Sequence, residues 1–336
     1  MALRIIKVSP ESPEVDRLKV CADIIKRGGL VAFPTETVYG LGCDGLNEKA
    51  VERLYRVKRR KPTKPVILHV HTPLQVEEVA EVNEVARALM DEFFPGPLAL
   101  VLKKRRCVPD VTSGYTDKIA VRMPANRIAL KLIELSETVI AAPSANRSGG
   151  ISPTRAEDVV EEFGDEIDAV VDGGETEVGI ESTVLDLSED KKAVVLRLGA
   201  ITLEELEEAL SDYEVELLVP SKKLEGEHYR VRGRVIIADL SAIPQIVAEL
   251  LESGLKVGVC AFEEVVDEML ESIDAGVAGE MVLFRVRDEE DYSKKLFRAM
   301  REMRDCDYLV FQSVRESGIG RAIMARLREA EKAGKR

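Results

Sequence analysis

The chain has 336 residues, of which 45% are hydrophobic and 32% are charged, and its formal net charge is −13. This composition is typical of a globular protein with one large domain or two ordinary ones, and the charge opposes tight binding to a long nucleic acid. No apolar run approaches the roughly 18–20 residues that span a bilayer, and the N-terminus lacks a signal-peptide profile. We therefore expect a cytoplasmic protein with no membrane partner.

Apolar strands alternate with amphipathic helices over the first two hundred residues. The predicted strands are 30–33, 66–70, 98–102, 119–122, 139–142, 169–172, 182–186 and 194–197. The predicted helices are 14–27, 47–58, 75–80, 83–93, 126–136, 154–163 and 202–210. Asn47 is the predicted cap of the second helix. Elements in this order predict an α/β domain with a mixed sheet.

The composition changes at residues 211–232, which are polar and show no sustained period. Such a segment is typical of a linker. A second alternation follows it, with strands at 234–239, 256–261, 281–285 and 308–312 and helices at 242–253, 263–272, 289–305 and 319–333. The sequence thus predicts a domain at 1–210, a linker at 211–232 and a small α/β domain at 233–336.

The first segment that could do chemistry runs from Pro34 to Gly45, between a predicted strand and a predicted helix. Thr35 and Thr37 offer hydroxyl groups, and the glycines let the main chain approach a ligand. A strand-to-helix loop is also where anions meet free N–H groups. The spacing matches neither common phosphate-binding motif, so a binding loop and a structural turn both stay open.

Four cations and a second polar loop are further candidates. Lys58 and Arg60 end a helix, where they either complement its dipole or reach phosphates. Arg122 and Arg197 end apolar strands, where burial is costly without an anionic partner. The segment 140–154 leaves a strand and carries three short polar side chains near a ligand-binding edge: Ser144, Asn146 and Ser152. Thr154 is expected to cap the helix that follows.

Metal and thiol chemistry are poorly supported. His69 and His71 lie on one face of a predicted strand, but the chain has only three histidines and no third ligand is evident. A hydrogen-bonding role for His69 is the favoured interpretation. The five cysteines form no C-x-x-C pair, which argues against a zinc knuckle and a disulfide framework.

Taken together, these segments resemble the YrdC-like family in its longer two-domain form, the threonylcarbamoyl-AMP synthases. The segments that carry the resemblance cover nearly the whole chain: Pro34-Thr-Glu-Thr-Val-Tyr-Gly-Leu-Gly42, Lys58-x-Arg60, Pro95-Gly-Pro97, Val121-Arg-Met-Pro124, Ala142-Pro-Ser-Ala-Asn146, Gly179-Ile-Glu-Ser-Thr183, Leu196-Arg-x-Gly199, His228-Tyr229 and Gly318-Ile-Gly-Arg-Ala-Ile-Met324. The sequence departs from the family pattern in three places, namely at Lys61, at Leu198 and at the Arg-Val that follows His228-Tyr229.

The resemblance implies a fold and a reaction. The fold is a YrdC-like twisted mixed sheet with helices, linked by a lid over the active site to a smaller Rossmann-like β-α-β domain. The enzyme would be a nucleotidyltransferase that converts L-threonine, bicarbonate and ATP, with Mg²⁺, to threonylcarbamoyl-AMP and pyrophosphate. Its product would serve a downstream tRNA threonylcarbamoyltransferase complex that modifies the adenosine beside the anticodon. Direct tRNA binding would be weak or lacking.

The resemblance also implies roles for single residues. L-threonine would be held by Thr35, His69, Arg122 and Ser182, with Arg122 on its carboxylate. Lys58 and Arg60 would be the catalytic cations. ATP would be bound by Lys58, Arg60, Lys118, Ser144, Asn146, Ser152, Arg197 and, from the linker, Tyr229. No metal-binding side chain is expected, because Mg²⁺ would be held by the ATP phosphates.

Two other functions are weighed against this one. The basic clusters 58–61 and 103–106 suggest an RNA-binding module, which the net charge of −13 opposes. A carbamoyl-transfer domain of the maturation type shares the fold, but the zinc-binding cysteine pairs of that class are lacking. The C-terminal domain has no visible catalytic constellation, and we expect its role to be regulatory or structural.

Overall fold

The structure is a computed structural model that describes residues 3–220, 229–273 and 278–334. The chain divides into two compact units. One consists of Met1–Ser148 and Ser152–Leu224, and the other of Gly149–Ile151 and Glu225–Arg336. Within the described residues, no helix is both long and apolar enough to cross a membrane.

The first unit is built on one large sheet. Its strands are β1 (Arg4–Lys7), β2 (Val31–Pro34), β3 (Tyr39–Asp44), β4 (Ile67–His69), β5 (Leu98–Lys103), β6 (Lys118–Arg122), β7 (Ile140–Ala141), β8 (Ala169–Asp172), β9 (Thr183–Asp186), β10 (Lys192–Arg197) and β11 (Glu216–Leu218). Its α-helices are α1 (Val15–Lys26), α2 (Glu48–Lys58), α3 (Pro73–Val79), α4 (Glu84–Phe93), α5 (Arg127–Ser136), α6 (Ala156–Phe163) and α7 (Leu203–Ala209).

The strands of this sheet follow the order β1-β8-β2-β3-β7-β4-β6-β5-β9-β10-β11. Parallel pairs such as β4–β6 and β5–β9 stand beside antiparallel pairs such as β2–β3 and β5–β6. The sheet is therefore mixed, and the predicted α/β fold class is confirmed.

Strand β3 was not predicted from the sequence. Residues 39–44 were expected to belong to a loop that leads into a helix, but they pair with β2, Phe33 opposite Gly40 and Val31 opposite Gly42. The strand was missed because glycine disfavours strands in general, whereas here Gly42 lies close to Phe33 and Ile140, where a side chain would not fit. The polar segment after β2 is thus a hairpin turn, and it does not lie at a helix N-terminus.

Both faces of the large sheet are covered. Leu30 and Ala32 belong to one hydrophobic cluster, while the alternate residues Val31 and Phe33 of β2 belong to another. Helices α1 and α5 pack on the second face with their apolar stripes, which include Leu18, Ile25, Leu132 and Ile133. Because strands buried on both faces read as continuous apolar runs, β2 was recognisable in the sequence.

Side-chain caps set the start of several helices. The side chain of Asn47 accepts a hydrogen bond from the Ala50 N–H at the start of α2, which confirms the predicted cap. The cap predicted at Thr154 is wrong, because α6 begins at Ala156 and Asp158 accepts the N–H groups of Thr154 and Arg155. A carboxylate three residues into the helix serves these N–H groups in place of the Thr154 hydroxyl.

The second unit has a sheet of its own. Its strands are β12 (Arg234–Ala238), β13 (Val257–Phe262), β14 (Met281–Val286) and β15 (Tyr308–Gln312), and its helices are α8 (Ile243–Glu252), α9 (Glu263–Ser272), α10 (Glu289–Glu302) and α11 (Gly320–Gly334). The strands are all parallel, in the order β12-β15-β13-β14. A separate apolar cluster of α8, α9 and the strands forms the core on one face of this sheet.

Candidate active site

The turn between β2 and β3 is held by its own hydroxyl groups. Thr35 Oγ1 donates to the carbonyl oxygen of Val38 at 2.7 Å and accepts from the Val38 N–H at 3.3 Å. Thr37 Oγ1 lies 2.9 Å from Thr35 Oγ1. Both threonines are buried. The hydroxyls of Thr35 and Thr37, which the sequence suggested as ligand-binding groups, therefore also fix the shape of the turn.

Arg122, the last residue of β6, reaches this turn and is only 4% exposed. Its Nη1 donates to Thr37 Oγ1 at 3.1 Å, and its Nε donates to the carbonyl oxygen of Gly96 at 3.2 Å. Its Nη2 lies 2.8 Å from Oε1 of Glu36, whose side chain is also buried. A buried arginine requires an anionic partner, and in this structure the partner is Glu36.

His69 lies beside Arg122, because the two residues are paired in the register of β4 and β6. Its side chain is buried, and its Nδ1 has no hydrogen-bond partner in residues 3–220, 229–273 and 278–334. Burial, reinforced by the positive charge of Arg122, lowers the pKa of His69 to about 3. At neutral pH the residue is therefore a neutral imidazole that can donate or accept a hydrogen bond. Among the described residues, no group of three or more His, Cys, Asp or Glu could hold a metal ion.

Main-chain hydrogen bonds join the turn to two other segments. The Val178 N–H donates to the Glu36 carbonyl oxygen at 2.8 Å, and the Gly179 N–H donates to that of Thr37 at 3.1 Å. The Thr183 N–H donates to the carbonyl oxygen of Pro97 at 3.0 Å. The segments 34–38, 95–97 and 178–183, which are distant in sequence, are thus assembled around Arg122.

The segment 179–183 brings Ser182 to Arg197. Arg197 Nη2 donates to Ser182 Oγ at 3.0 Å, and its Nε donates to the carbonyl oxygen of Ser182 at 2.9 Å. Next to this pair in sequence, Glu181 Oε1 accepts a hydrogen bond of 2.7 Å from Ser152 Oγ. Ser152, Ser182 and Arg197, for which the family resemblance implies two different ligands, therefore lie in one hydrogen-bonded region.

Lys58 is buried and holds the segment 144–146. Its Nζ donates to the main-chain oxygens of Ser144 and Asn146. Burial lowers its pKa well below the usual value, and the nearby charge of Arg60 lowers it further. Ser144 also bridges Gly40 of β3. An ammonium has three donors, and two of those of Lys58 are used on carbonyls of the described residues.

Arg60 lies two residues beyond the end of α2 and folds onto the chain that follows it. Its Nη2 donates to the carbonyl oxygen of Pro65 at 2.9 Å, and its Nε donates to that of Lys64 at 3.3 Å. Burial lowers its pKa. In this arrangement its side chain is held by the carbonyls of its own loop.

Two predicted nucleotide ligands have other partners in the structure. Lys118 begins β6, four residues or about 13 Å along the strand from Arg122, and pairs with Asp186 at 3.2 Å. Tyr229 belongs to the second unit, where its ring stacks on Phe297 with centroids 5.0 Å apart. His228, part of the same predicted motif, lies outside the described residues.

Sequence reasoning missed Glu36 and Glu181 as members of the site. Both are buried carboxylates within the segments that carried the family resemblance. The available signal was an acidic residue inside an otherwise apolar and hydroxyl-rich segment, because acidic residues are almost never fully buried unless paired.

Comparison with known proteins gives matches along most of the chain. Residues 23–199 match the family described as "Telomere recombination", and residues 201–331 match the family described as "Threonylcarbamoyl-AMP synthase, C-terminal domain". A Pyrococcus abyssi protein named threonylcarbamoyl-AMP synthase is 41% identical over 332 residues, which cover 94% of each chain. A Bacillus subtilis protein of the same name is 36% identical over 343 residues, covering 96% of this chain and 94% of its own.

Solved structures give the same result. A crystal structure of P. abyssi Sua5 complexed with L-threonine matches with a TM-score of 0.86 and 40% identity, and the match covers 98% of both chains. The crystal structure of Escherichia coli YciO matches with a TM-score of 0.54 and 25% identity. That match covers 59% of this chain and 96% of the YciO chain.

Proposed function

The chain belongs to the threonylcarbamoyl-AMP synthase family, and we propose that the buried assembly around Arg122 is where it binds L-threonine. The enzyme makes threonylcarbamoyl-AMP, an intermediate in the modification of tRNA. One observation supports the location of the threonine site above the others: Arg122 is a buried cation beside the Thr37 hydroxyl and the neutral imidazole of His69, in a fold that matches a threonine complex.

In the proposed reaction, the threonine ammonium releases a proton to solvent, and the resulting amine combines with the carbon of bicarbonate to give a carbamate and water. A carbamate oxygen then attacks the α-phosphorus of ATP, and pyrophosphate leaves. The enzyme would thus be a nucleotidyltransferase whose second substrate is ATP with its Mg²⁺. Such a reaction depends on positioning and on neutralising charge more than on a side-chain nucleophile, which is consistent with a site of cations and hydroxyls.

For the threonine subsite, we assign the α-carboxylate to Arg122, because guanidinium binds carboxylate through a fork of two N–H groups. His69 and Ser182 are the proposed partners of the threonine hydroxyl and backbone groups. Thr35 shapes the subsite, since its hydroxyl is already bonded within the turn. One missing methyl group is worth only about 1–3 kcal/mol, so serine should be rejected incompletely.

For the nucleotide subsite, we assign the phosphates to Lys58, Arg60 and Arg197, with Ser144, Asn146 and Ser152 as polar neighbours. Lys58 would donate its third N–H to a phosphate. Arg60 would have to give up its hydrogen bonds to the carbonyls of Lys64 and Pro65 in order to bind a phosphate. Lys118 would likewise have to leave Asp186. Tyr229 stays a predicted contact of the nucleotide.

The proposed partners are a tRNA threonylcarbamoyltransferase complex, which would take up the product, and tRNA only through that complex. A mixed anhydride of a carbamate and AMP is a reactive acylating agent. An enzyme that transfers its acyl group must therefore bind it before water hydrolyses it. The net charge of −13 favours this arrangement over direct tRNA binding.

Pyrophosphate release tests the proposal. The purified enzyme, with MgATP and bicarbonate, should release pyrophosphate only when L-threonine is added. Arg122→Ala should raise the KM for threonine, because it removes the guanidinium assigned to the threonine carboxylate. It should leave the Kd of ATP within about twofold of the wild-type value. Lys58→Ala should lower kcat by at least about tenfold, because it removes a cation from the proposed phosphate site and the hydrogen bonds that this cation donates to Ser144 and Asn146.

Lys49→Ala is the matched control, because Lys49 lies on the same helix as Lys58 but is exposed. It should behave as the wild type does. Release that is independent of threonine or of bicarbonate would overturn the proposed reaction. In that case, RNA affinity measured across a range of salt concentrations would test the RNA-binding alternative.

A further inference from the structure

The buried carboxylate of Glu36 is not accounted for by the proposed function. Its side chain is 6% exposed, and neither carboxylate oxygen has a hydrogen-bond partner among the residues that the structure describes, although Oε1 lies 2.8 Å from Arg122 Nη2. Within the described part of the chain, Arg122 Nη2 likewise has no hydrogen bond. Buried polar atoms are nearly always hydrogen-bonded in native proteins. Glu36 and Arg122 form an ion pair, and the hydrogen-bonding capacity that both groups keep indicates that a ligand completes them.

The chemistry of the two groups specifies that ligand. Arg122 Nε and Nη1 each donate to a protein oxygen, so the N–H groups of Nη2 remain for an anion. The Glu36 oxygens remain for a cation. A molecule that carries a carboxylate and an ammonium about one carbon apart satisfies both groups at once. An α-amino acid is the simplest such molecule.

We propose that Glu36 determines the specificity of the site for α-amino acids by binding the α-ammonium of the substrate while Arg122 binds its carboxylate. This inference rests on the proposed function, because it takes L-threonine as the substrate of the site. Glu36 also offsets the charge of Arg122, so a carboxylate without an ammonium would meet an unpaired negative group on binding. The site thereby rejects hydroxy acids and simple carboxylates.

Calorimetric titration with two ligands tests this role. The ligands are L-threonine and (R)-3-hydroxybutyrate, which has the same carbon skeleton and hydroxyl but lacks the ammonium. The proteins are wild type, Glu36→Gln and the control Glu177→Gln, which alters an exposed carboxylate near the same segment. The glutamine at position 36 keeps the size of the side chain and removes its charge.

The expected result is a change in discrimination. Wild type and Glu177→Gln should bind threonine far more tightly than 3-hydroxybutyrate. Glu36→Gln should lose about 10- to 100-fold in threonine affinity, as expected for a buried hydrogen bond to a charged group. It should bind 3-hydroxybutyrate at least as well as wild type does, because Arg122 is then free of its carboxylate partner. The Kd of ATP should not change.

Other outcomes would overturn the proposal in different ways. Equal losses for both ligands would show that Glu36 only positions Arg122, and unchanged threonine affinity would show that it does not contact the ammonium. If Glu36→Gln does not fold, comparable binding of the two ligands by wild type would exclude an ammonium-binding group. Failure of wild type to bind threonine, with or without ATP, would instead contradict the proposed function itself.

Discussion

At the scale of single residues, the site depends on charges that have been taken out of water. Glu36 and Arg122 are both almost fully buried and lie in contact. Removing one partner of such a pair typically costs about 3–5 kcal/mol, because the other charge is left uncompensated. Such a pair is weak evidence for stability in itself. Its place beside two hydroxyls and His69 is what makes it evidence for a binding site.

The neutral state of His69 predicts a dependence of stability on pH. Its pKa is lowered to about 3 in the folded protein, whereas an unperturbed histidine titrates near 6.5. Between these values the unfolded chain binds more protons, so lowering the pH destabilises the fold. The free energy of unfolding should fall by about 1.4 kcal/mol for each pH unit below roughly pH 6.5. Above that pH, the stability that the neutral His69 allows is fully present.

Urea denaturation between pH 5 and pH 7.5 measures this contribution. His69→Asn should show a shallower fall in the free energy of unfolding toward acid pH than wild type does. His71→Asn is the control and should keep the wild-type slope, because His69 is intact in it. Identical slopes for wild type and His69→Asn would show that burial does not hold His69 neutral.

At the scale of elements, the β2–β3 hairpin sets the position of the turn that carries Thr35, Glu36 and Thr37. Close packing of this hairpin requires glycine at one position in particular. A Cβ on Gly42 would lie 2.6 Å from a ring atom of Phe33 and 2.7 Å from Cγ2 of Ile140. A Cβ on Gly40, two residues earlier in the same strand, would meet Ala142 at an ordinary 3.4 Å.

Gly42→Ala should therefore destabilise the protein by about 1–3 kcal/mol through overpacking, whereas Gly40→Ala should change the free energy of unfolding by less than about 0.5 kcal/mol. Denaturant unfolding of the two variants measures the difference. Since Gly40 and Gly42 lie in the same strand and on the same face, the effect of replacing glycine on backbone propensity is the same in both variants. Equal destabilisation would mean that backbone propensity, and not the contact with Phe33 and Ile140, accounts for the effect.

At the scale of the whole molecule, each unit has its own sheet and its own hydrophobic core. A unit with these features is expected to fold alone. The match to YciO, which covers 96% of that protein but 59% of this chain, is consistent with this expectation for the first unit. We expect the C-terminal unit to be regulatory or structural, so single polar substitutions within 240–330 should leave adenylation intact when the protein folds.

A fragment of residues 1–220 should therefore fold cooperatively, as measured by circular dichroism and urea denaturation. A fragment of residues 1–148 is the control. It lacks β8, which pairs with β1 and β2, and β9, which pairs with β5, so it should not fold. Failure of the longer fragment to unfold in a sigmoidal transition would show that the large sheet requires the second unit.

The sequence by itself determined the local structure and the family. Continuous apolar runs identified strands such as β2 and β5, the cap at Asn47 marked the start of α2, and the ordered motifs indicated a threonylcarbamoyl-AMP synthase. These features depend on residues near each other in the chain, so they can be predicted without knowledge of the fold.

The tertiary structure decided which of the candidate residues meet. Arg122 contacts a turn 85 residues away, and Lys58 donates to a carbonyl 86 residues away. The close packing of Phe33 and Ile140 against Gly42 of β3 also depends on residues that are distant in the chain. The pairing of Glu36 with Arg122 likewise arises from long-range packing, and no local pattern encodes it. Chain propensities act over a few residues, whereas burial and charge pairing act through space.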